Sequence, residues 1–353
     1  MSKKVKISLL LISTFIVIYF GGKFYLDKTY LNQFEREDIV GEDRYETMVK
    51  VSEKRWTKSK EAVLVNSSSM LDATSASPFA YKNDIPMFFI EQDNLNTTIK
   101  DELGRLDVEK VYLIGGVLSI SDSVEKELNE LNIDTYRISG QTGLETTLLL
   151  AQKVIEGTDT NKIAIVNLEY GIPNGISFVP IAQKNNIPII LIKKDNEDEV
   201  INFAKENNID EVYILGSENQ ISKSIEKEFK KSTRINGQDR YETNKDIIKE
   251  FYNTDELNHV YITKGGIATQ ADFINALSIA PIAAKENAPI VLSRDSMDKE
   301  LMTFLEDFDV KKITEIGFKF ERPKLINETS IRYIVSIVII ILYIFALKRV
   351  IYL

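Results

Sequence analysis

The amino-acid sequence repeats itself three times, and this limits the fold to an array of similar units. The heptapeptide GEDRYET begins at Gly41, returns as GQDRYET at Gly237, and has a degraded copy, GQTGLET, at Gly140. A second landmark, a proline that opens an apolar run, recurs in step with the first at Pro86, Pro188 and Pro289. Since independent landmarks keep one spacing of about 100 residues, the three units are expected to share one architecture.

Within each unit, short apolar strands alternate with segments of helical pattern. The first strand of each unit is predicted at 62–66, 163–167 and 260–264. Short apolar strands separated by helices are typical of a parallel sheet that helices cover on both faces. The sequence therefore predicts an α/β fold with three tandem modules, at 38–139, 140–236 and 237–320. The third module is predicted to be truncated, because the repeat pattern stops after Phe320, before a last helix and strand.

Apolar segments flank the repeats on both sides. Residues 1–6 are a basic start, 7–26 are mainly apolar, and 331–348 are a second apolar run that ends beside Arg349. Such runs favour membrane spans, and the basic residues next to them favour the cytoplasm for both termini. We therefore expect a signal anchor at 7–26, a linker at 321–330, a transmembrane helix at 331–348 and a cytoplasmic end at 349–353. The repeats would then lie on the extracytoplasmic face of the cell membrane, with a cleaved signal peptide as the alternative for the first segment.

The composition excludes several classes of function. The chain has 53 acidic and 44 basic residues, a net charge of −9, and such an acidic protein is a poor partner for nucleic acid. It has no cysteine and one histidine, His259, which is expected near the start of a strand. This leaves no basis for a thiolate metal site or a histidine-based catalytic triad. No glycine-rich nucleotide loop follows a strand, so the sequence predicts no catalytic residue, no metal and no cofactor.

The motifs together resemble the cell-wall-binding repeat 2 family of Gram-positive, especially clostridial, surface proteins. The matching pieces are the GxDRYET motif, the segment DATSASP at 72–78, the proline-led apolar strand, and VYLIGG followed by a helix that Ser121 caps. The resemblance covers about residues 38 to 320. It implies Rossmann-like or flavodoxin-like modules in a pseudo-threefold arrangement, which bind non-covalently to an anionic cell-wall polymer. It also links polymer binding to the proline-led stretches, which are residues 86–89, 188–191 and 289–292 in this chain.

The candidate polymer-binding residues lie at helix starts, at strand ends and in the proline-led strands. In open parallel sheets, ligands collect at the carboxyl ends of the strands, and free N–H groups at helix starts suit anions. The candidates are Arg44, Tyr45, Ser67, Ser68, Asp72, Pro86, Gly115, Gly116, Asn174, Pro188, Arg240, Tyr241, Gly265, Gly266, Asn275 and Pro289. A structural interpretation stays open beside the functional one: Asp43 caps a helix, Arg44 pairs with an acid between modules, and the proline-led runs are sheet core.

The expected function is that of a non-catalytic binding protein. Its predicted partners are an anionic cell-wall polysaccharide or a teichoic-acid-like polymer, and the lipid bilayer that would anchor it. The alternative is an accessory or scaffold protein that works with envelope-assembly proteins at the membrane, without direct retention on the wall. An enzyme is the third possibility and has the least support, because the polar positions differ between copies.

Overall fold

The proline-led strands are built from runs in which almost every side chain is apolar and buried. In the computed structural model, which describes residues 34–253, 257–266 and 272–320, the runs Met87–Ile90 and Ile189–Ile192 are buried at every position. A strand that is buried on both faces requires cover on both sides of its sheet. The proline-led runs are therefore core, and the carbonyl groups of Pro86 and Pro188 accept hydrogen bonds from the neighbouring strands, at 2.8 and 2.9 Å. Pro289 accepts the equivalent bond at 3.0 Å.

Strands and helices alternate along the chain. The strands are β1 (Glu35–Ile39), β2 (Glu61–Asn66), β3 (Met87–Ile90), β4 (Lys110–Ile114), β5 (Asp134–Ile138), β6 (Lys162–Asn167), β7 (Ile189–Ile192), β8 (Glu211–Leu215), β9 (Lys231–Ile235), β10 (His259–Lys264), β11 (Ile290–Ser293) and β12 (Lys312–Ile316). The α-helices are α1 (Arg44–Arg55), α2 (Met70–Lys82), α3 (Thr97–Leu106), α4 (Asp122–Glu130), α5 (Gly143–Ile155), α6 (Ile172–Lys184), α7 (Glu197–Glu206), α8 (Arg240–Phe251), α9 (Asp272–Glu286) and α10 (Lys299–Asp307). Short 3₁₀ helices lie at Lys194–Asn196 and Lys223–Glu228.

The strands form three four-stranded sheets with the same topology. Their strand orders are β3-β2-β4-β5, β7-β6-β8-β9 and β11-β10-β12-β1. In the first sheet, Val63 of β2 lies opposite Met87 on one side and Tyr112 on the other, in parallel pairs. Parallel strands need a crossover, and the helices that supply it cover the sheet faces. The prediction of three parallel-sheet α/β modules is confirmed, whereas the boundaries between the modules stay predictions.

The third sheet takes its fourth strand from the beginning of the repeat region. Gly317, at the end of β12, donates its backbone N–H to the carbonyl of Ile39 in β1 at 2.9 Å. Gly115 and Ile138 make the same bond in the first sheet, also at 2.9 Å. An ion pair between Lys319 and Asp38, 2.8 Å apart, adds to the contact. The strand that the predicted truncation removes from the third module is therefore supplied by β1, about 280 residues earlier in the chain.

Three helices meet at the centre of the repeat region. Helices α2, α6 and α9 pack against one another, and each carries a proline, Pro78, Pro180 or Pro281. Small side chains allow the close approach: a β-carbon at Gly175 of α6 would lie 3.1 Å from Cγ2 of Thr74 in α2. The Thr74 hydroxyl donates to the carbonyl of Met70 at 2.6 Å, so its burial leaves no donor unpaired.

The structure adds no support for flanking transmembrane helices. Over residues 34–253, 257–266 and 272–320, none of the helices has the length and apolar character that a membrane crossing needs. The predictions for 1–6, 7–26, 321–330, 331–348 and 349–353 fall on residues outside that described part of the chain.

Candidate polymer-binding edge

Several predicted site residues pack at the carboxyl ends of the strands, which together form the candidate polymer-binding edge. A β-carbon at Gly115 would lie 3.1 Å from Oδ2 of Asp72, and Gly115 has a φ of +98° that favours glycine. In the third sheet, Asn275 packs in the same way against Gly317. In the second sheet, the buried Asn174 amide donates to the carbonyl of Leu215 at 3.3 Å. These contacts assign Asp72, Asn174, Asn275 and Gly115 a structural role.

The carboxyl group of Asp72 faces hydroxyl groups inside the protein. The residue is only 7% exposed, and Oδ2 accepts hydrogen bonds from Ser69 at 2.7 Å and from Ser119 at 3.5 Å. Burial raises the pKa of Asp72, while these two hydrogen bonds oppose the shift. Ser68 and Gly116 are more accessible than Asp72, because Ser68 is exposed and the space around Gly116 is open. Ser67, partly exposed, is tied to the first sheet by its backbone N–H, which donates to the carbonyl of Ile90 at 2.7 Å.

The GxDRYET motif is first of all a helix cap. The Asp43 carboxylate accepts the backbone N–H of Glu46 at 2.9 Å, and the Thr47 hydroxyl accepts that of Gly41 at 2.9 Å. The degraded copy keeps the same bonds, with Thr142 as the capping side chain and Thr146 as the partner of Gly140. That copy has Gly143-Leu144 where the others have arginine and tyrosine. Since the cap forms without the arginine and the tyrosine, these two side chains are not needed for capping.

In the third repeat, two arginines surround a buried tyrosine whose hydroxyl group has no partner. Tyr241 is 7% exposed, and its hydroxyl oxygen makes no hydrogen bond. The guanidinium of Arg294 lies 4.3 Å from the centre of the Tyr241 ring. Arg240 donates to the carbonyl groups of Gly265 and Gly266, at 2.7 and 3.0 Å. Burial raises the pKa of Tyr241, and the two arginines oppose the shift, so the hydroxyl stays a hydrogen-bond donor at neutral pH.

The loop after β10 makes room for this cluster. A β-carbon at Gly265 would lie 2.6 Å from Cε1 of Tyr241, so the residue after the strand must be small. Arg294 is 38% exposed and pairs with three carboxylates, those of Asp239 at 3.1 Å, Asp298 at 3.4 Å and Glu300 at 2.9 Å. Its exposed guanidinium group is suited to hydrogen bonds with phosphate or carboxylate oxygens.

The first repeat carries the same tyrosine, but satisfies it internally. The Tyr45 hydroxyl donates to Glu91 at 3.3 Å and accepts from Arg44 at 3.2 Å. Glu91 follows β3 at the position that Arg294 occupies after β11 and Lys193 after β7. Glu91 therefore pairs with the tyrosine of the first repeat, whereas the tyrosine hydroxyl of the third repeat has no hydrogen-bond partner.

Glu91 and Arg294 were not among the polymer-binding candidates predicted from the sequence. A signal existed, because both residues directly follow the proline-led strands, which were already aligned between the copies. What the sequence could not show is that each lies against the tyrosine of the GxDRYET helix. His259 begins β10, as predicted. In the described part of the chain, no three His, Cys, Asp or Glu residues are grouped as metal ligands.

The three parallel-sheet modules form a tandem α/β array with the same polar positions at its strand ends. Comparisons with known proteins identify its family. The model of the family "Cell wall binding domain 2 (CWB2)" matches residues 39–125, 137–226 and 234–331. The chain belongs to this cell-wall-binding family, which confirms the resemblance found in the sequence.

The relatives include two proteins of Bacillus subtilis (strain 168). The chain is 26% identical over 256 residues to N-acetylmuramoyl-L-alanine amidase LytC, a match that covers 72% of the chain and 49% of LytC. It is 28% identical over 281 residues to the amidase enhancer, covering 76% of the chain and 37% of the enhancer. Among solved structures, Cwp6 from Clostridium difficile superposes with a TM-score of 0.74 at 28% identity, covering 82% of the chain and 46% of Cwp6. The chain thus spans half or less of the length of each relative.

The predicted location is corrected by these findings. The sequence placed the chain in the cell membrane with both termini in the cytoplasm, on the strength of the two apolar segments. No helix of the described residues can cross a membrane, and the family to which the chain belongs is a cell-wall-binding one. The prediction of a cell-membrane location with cytoplasmic termini is therefore wrong.

Proposed function

We propose that the chain is a non-catalytic protein that binds an anionic cell-wall polymer non-covalently, either a polysaccharide or a teichoic-acid-like polymer. The observation that carries the proposal is the strand end of the third repeat, where the half-exposed guanidinium of Arg294 lies 4.3 Å from the centre of the Tyr241 ring. A phosphate or carboxylate oxygen of the polymer would gain charge-assisted bonds from this guanidinium.

The acids near Arg294 do not prevent this binding. Its ion pairs with Asp239, Asp298 and Glu300 are partly exposed, with the three carboxylates at 48%, 30% and 53%. Exposed pairs contribute only about 0–1 kcal/mol, so an external anion can compete for the guanidinium group. Ser67, Ser68 and Gly116 are proposed as further contacts at the first edge, because their surroundings leave them accessible.

Binding of the purified chain to isolated Gram-positive cell walls tests the proposal. Replacing Arg294 with glutamine should weaken binding about tenfold, equivalent to ~1.4 kcal/mol, because it removes one of the two cations beside Tyr241. Lys193→Gln is the matched control. It removes one positive charge at the equivalent strand end of the second repeat, where Leu144 replaces the tyrosine of the motif. Equal losses for the two variants would mean that general electrostatics, and not this site, determine binding.

Tyr241→Phe tests whether the tyrosine hydroxyl takes part in binding. This hydroxyl is buried and has no protein partner, so its removal should leave the free energy of unfolding unchanged or slightly higher and leave binding to the walls unchanged. The equivalent Tyr45→Phe variant loses a hydrogen bond to Glu91 and should be destabilised by about 0.5–1.5 kcal/mol in urea unfolding. Weaker wall binding by Tyr241→Phe would contradict the assignment of binding to the Arg294 guanidinium alone.

The alternative, an accessory role in assembly of envelope polymers, rested on the apolar terminal segments. Those segments lie outside the described residues, and no contact within the described part of the chain favours that role over wall binding.

A further inference from the structure

A cavity of about 500 Å³ lies between the second and third repeats, at the amino ends of β6 and β8. It is at the opposite end of the second sheet from the strand-end loops of the candidate polymer-binding edge. Its lining includes Asn161, Asn185, Asn287, Tyr213 and Tyr252. The volume is within the range of about 300–1,000 Å³ that is usual for sites of small molecules.

Three helices end at this cavity. Residues from the C-terminal ends of α6, α8 and α9 all line it, represented by Lys184, Phe251 and Ala284. The C-terminal end of a helix carries partial negative charge, although its last carbonyl groups are capped here: those of Ile181, Ile248 and Ala283 accept the backbone N–H groups of Asn185, Tyr252 and Ala288. Hydrogen-bond donors are therefore favoured at this position, and a carboxylate or phosphate is disfavoured.

The cations of the cavity already have partners. Lys184 donates to the side-chain oxygen of Asn287 at 2.6 Å, and Lys162 pairs with Glu211 at 3.1 Å. The remaining polar rim consists of Thr158, Asp159, Thr160 and several asparagines. Asparagine amides both donate and accept, and that of Asn185 already donates to the carbonyl of Ile181 at 2.8 Å. Tyr213, Phe251 and Tyr252 supply an aromatic wall. Amides beside aromatic rings suit a ligand that has hydroxyl or amide groups on one side and C–H groups on the other.

The equivalent place between the first and second repeats is occupied by side chains, and the one between the third and first repeats holds a smaller cavity of about 270 Å³. Between the first and second repeats, Lys82 donates to the carbonyl of Lys153 at 2.9 Å, and the Lys153 ammonium lies 5.4 Å from the centre of the Tyr136 ring. Between the third and first repeats, Arg55 donates to the carbonyl of Pro281 at 3.2 Å. At the second junction, Thr233 stands in place of Tyr136, and Lys184 binds Asn287, so the space stays open.

We propose that this cavity binds a neutral saccharide unit, independently of the anionic site at Arg294. The partial negative charge of the three helix ends disfavours an anion, the amides of Asn161 and Asn186 bind hydroxyl or acetamido groups, and the aromatic wall covers the C–H face of the saccharide. The cavity and the candidate edge would then recognise chemically different parts of wall material.

Saturation-transfer NMR on the full chain, with N,N′-diacetylchitobiose as the probe, tests this site. Asn161 lies in an exposed loop that lines the cavity, so Asn161→Trp should fill the space and reduce transfer at least fivefold. Lys60→Trp, at the equivalent loop position of the first repeat, is the control and should leave transfer intact. Asn287→Gly is a second variant, since glycine suits the φ of +54° at that residue; it should reduce transfer by removing one amide.

Absence of transfer to the unmodified chain, or equal transfer in Asn161→Trp and Lys60→Trp, would overturn the saccharide site. Arg294→Gln separates this inference from the proposed function. That variant should lose wall binding about tenfold and keep full saturation transfer. Loss of both properties in Arg294→Gln would contradict the independence of the two sites.

Discussion

Gly115 and Gly116 are neighbours at the end of β4, but only Gly115 is fixed by its surroundings. A β-carbon at Gly115 would lie 2.8 Å from Cβ of Ser119 and 3.1 Å from the Asp72 carboxyl group, and its φ is +98°. Gly116 has no heavy atom within 4 Å of its would-be β-carbon. Both were predicted as candidate contacts, and the structure gives only Gly116 an accessible position.

Gly115→Ala is therefore expected to destabilise the protein, whereas Gly116→Ala should not. The left-handed backbone alone costs an alanine about 1–2 kcal/mol, and the contacts with Ser119 and Asp72 add to that cost. Urea unfolding of the two variants measures the difference in the free energy of unfolding. Similar stabilities for the two variants would show that Gly115 is not held in this conformation.

At the scale of secondary-structure elements, β1 connects the beginning of the repeat region to its last sheet. Ile39 is buried, and its carbonyl accepts the N–H of Gly317. Arg36 donates to the buried carboxylate of Glu315 in β12. An edge strand from a distant part of the sequence closes the array, so no sheet of the repeat region is left one strand short.

Ile39→Ala tests this connection. Truncation of a buried isoleucine costs roughly 2–5 kcal/mol, and the loss should fall on the third sheet. Hydrogen exchange should therefore speed up in β12 (Lys312–Ile316), while β4 (Lys110–Ile114), which is much closer to Ile39 in sequence, keeps its protection. Faster exchange in β4 instead of β12 would place β1 in the first sheet.

The sequence predicted the elements better than their assignment to sheets. The strands at 62–66, 163–167 and 260–264 were each placed to within one residue, because short apolar runs between helices leave few alternatives. The role of β1 was missed, although 35–39 precedes Gly41 as 134–138 precedes Gly140. Pairing between the two ends of a repeat array is a long-range contact, and local hydrophobic periodicity does not encode it.

The same limit applied to the candidate site. Asp43, Thr47 and the degraded copy at Gly140 could be interpreted from local capping rules. The roles of Arg294 and Glu91 could not, since they depend on which side chain lies against Tyr241 or Tyr45 across a helix and a strand. Repeated positions show that residues are equivalent, but only the packing shows which of them differ in function.

At the scale of the whole molecule, three similar modules surround α2, α6 and α9 but are not equal in chemistry. The first repeat satisfies its tyrosine with Glu91, the second lacks the tyrosine, and the third leaves it open beside two arginines. An acidic chain with a net charge of −9 gains nothing from overall attraction to an anionic polymer. Salt screens that repulsion beyond about 8–10 Å, so a local cluster can determine binding.

Co-sedimentation of the full chain with cell walls, before and after hydrofluoric acid removes the phosphate-linked polymers, tests the central claim most directly. We expect the chain to sediment far more with intact walls than with the stripped peptidoglycan. Binding to intact walls should also weaken as salt rises, because the proposed contacts are charged. Equal sedimentation with intact and stripped walls would contradict the account, since it would show that the chain recognises peptidoglycan without the anionic polymer.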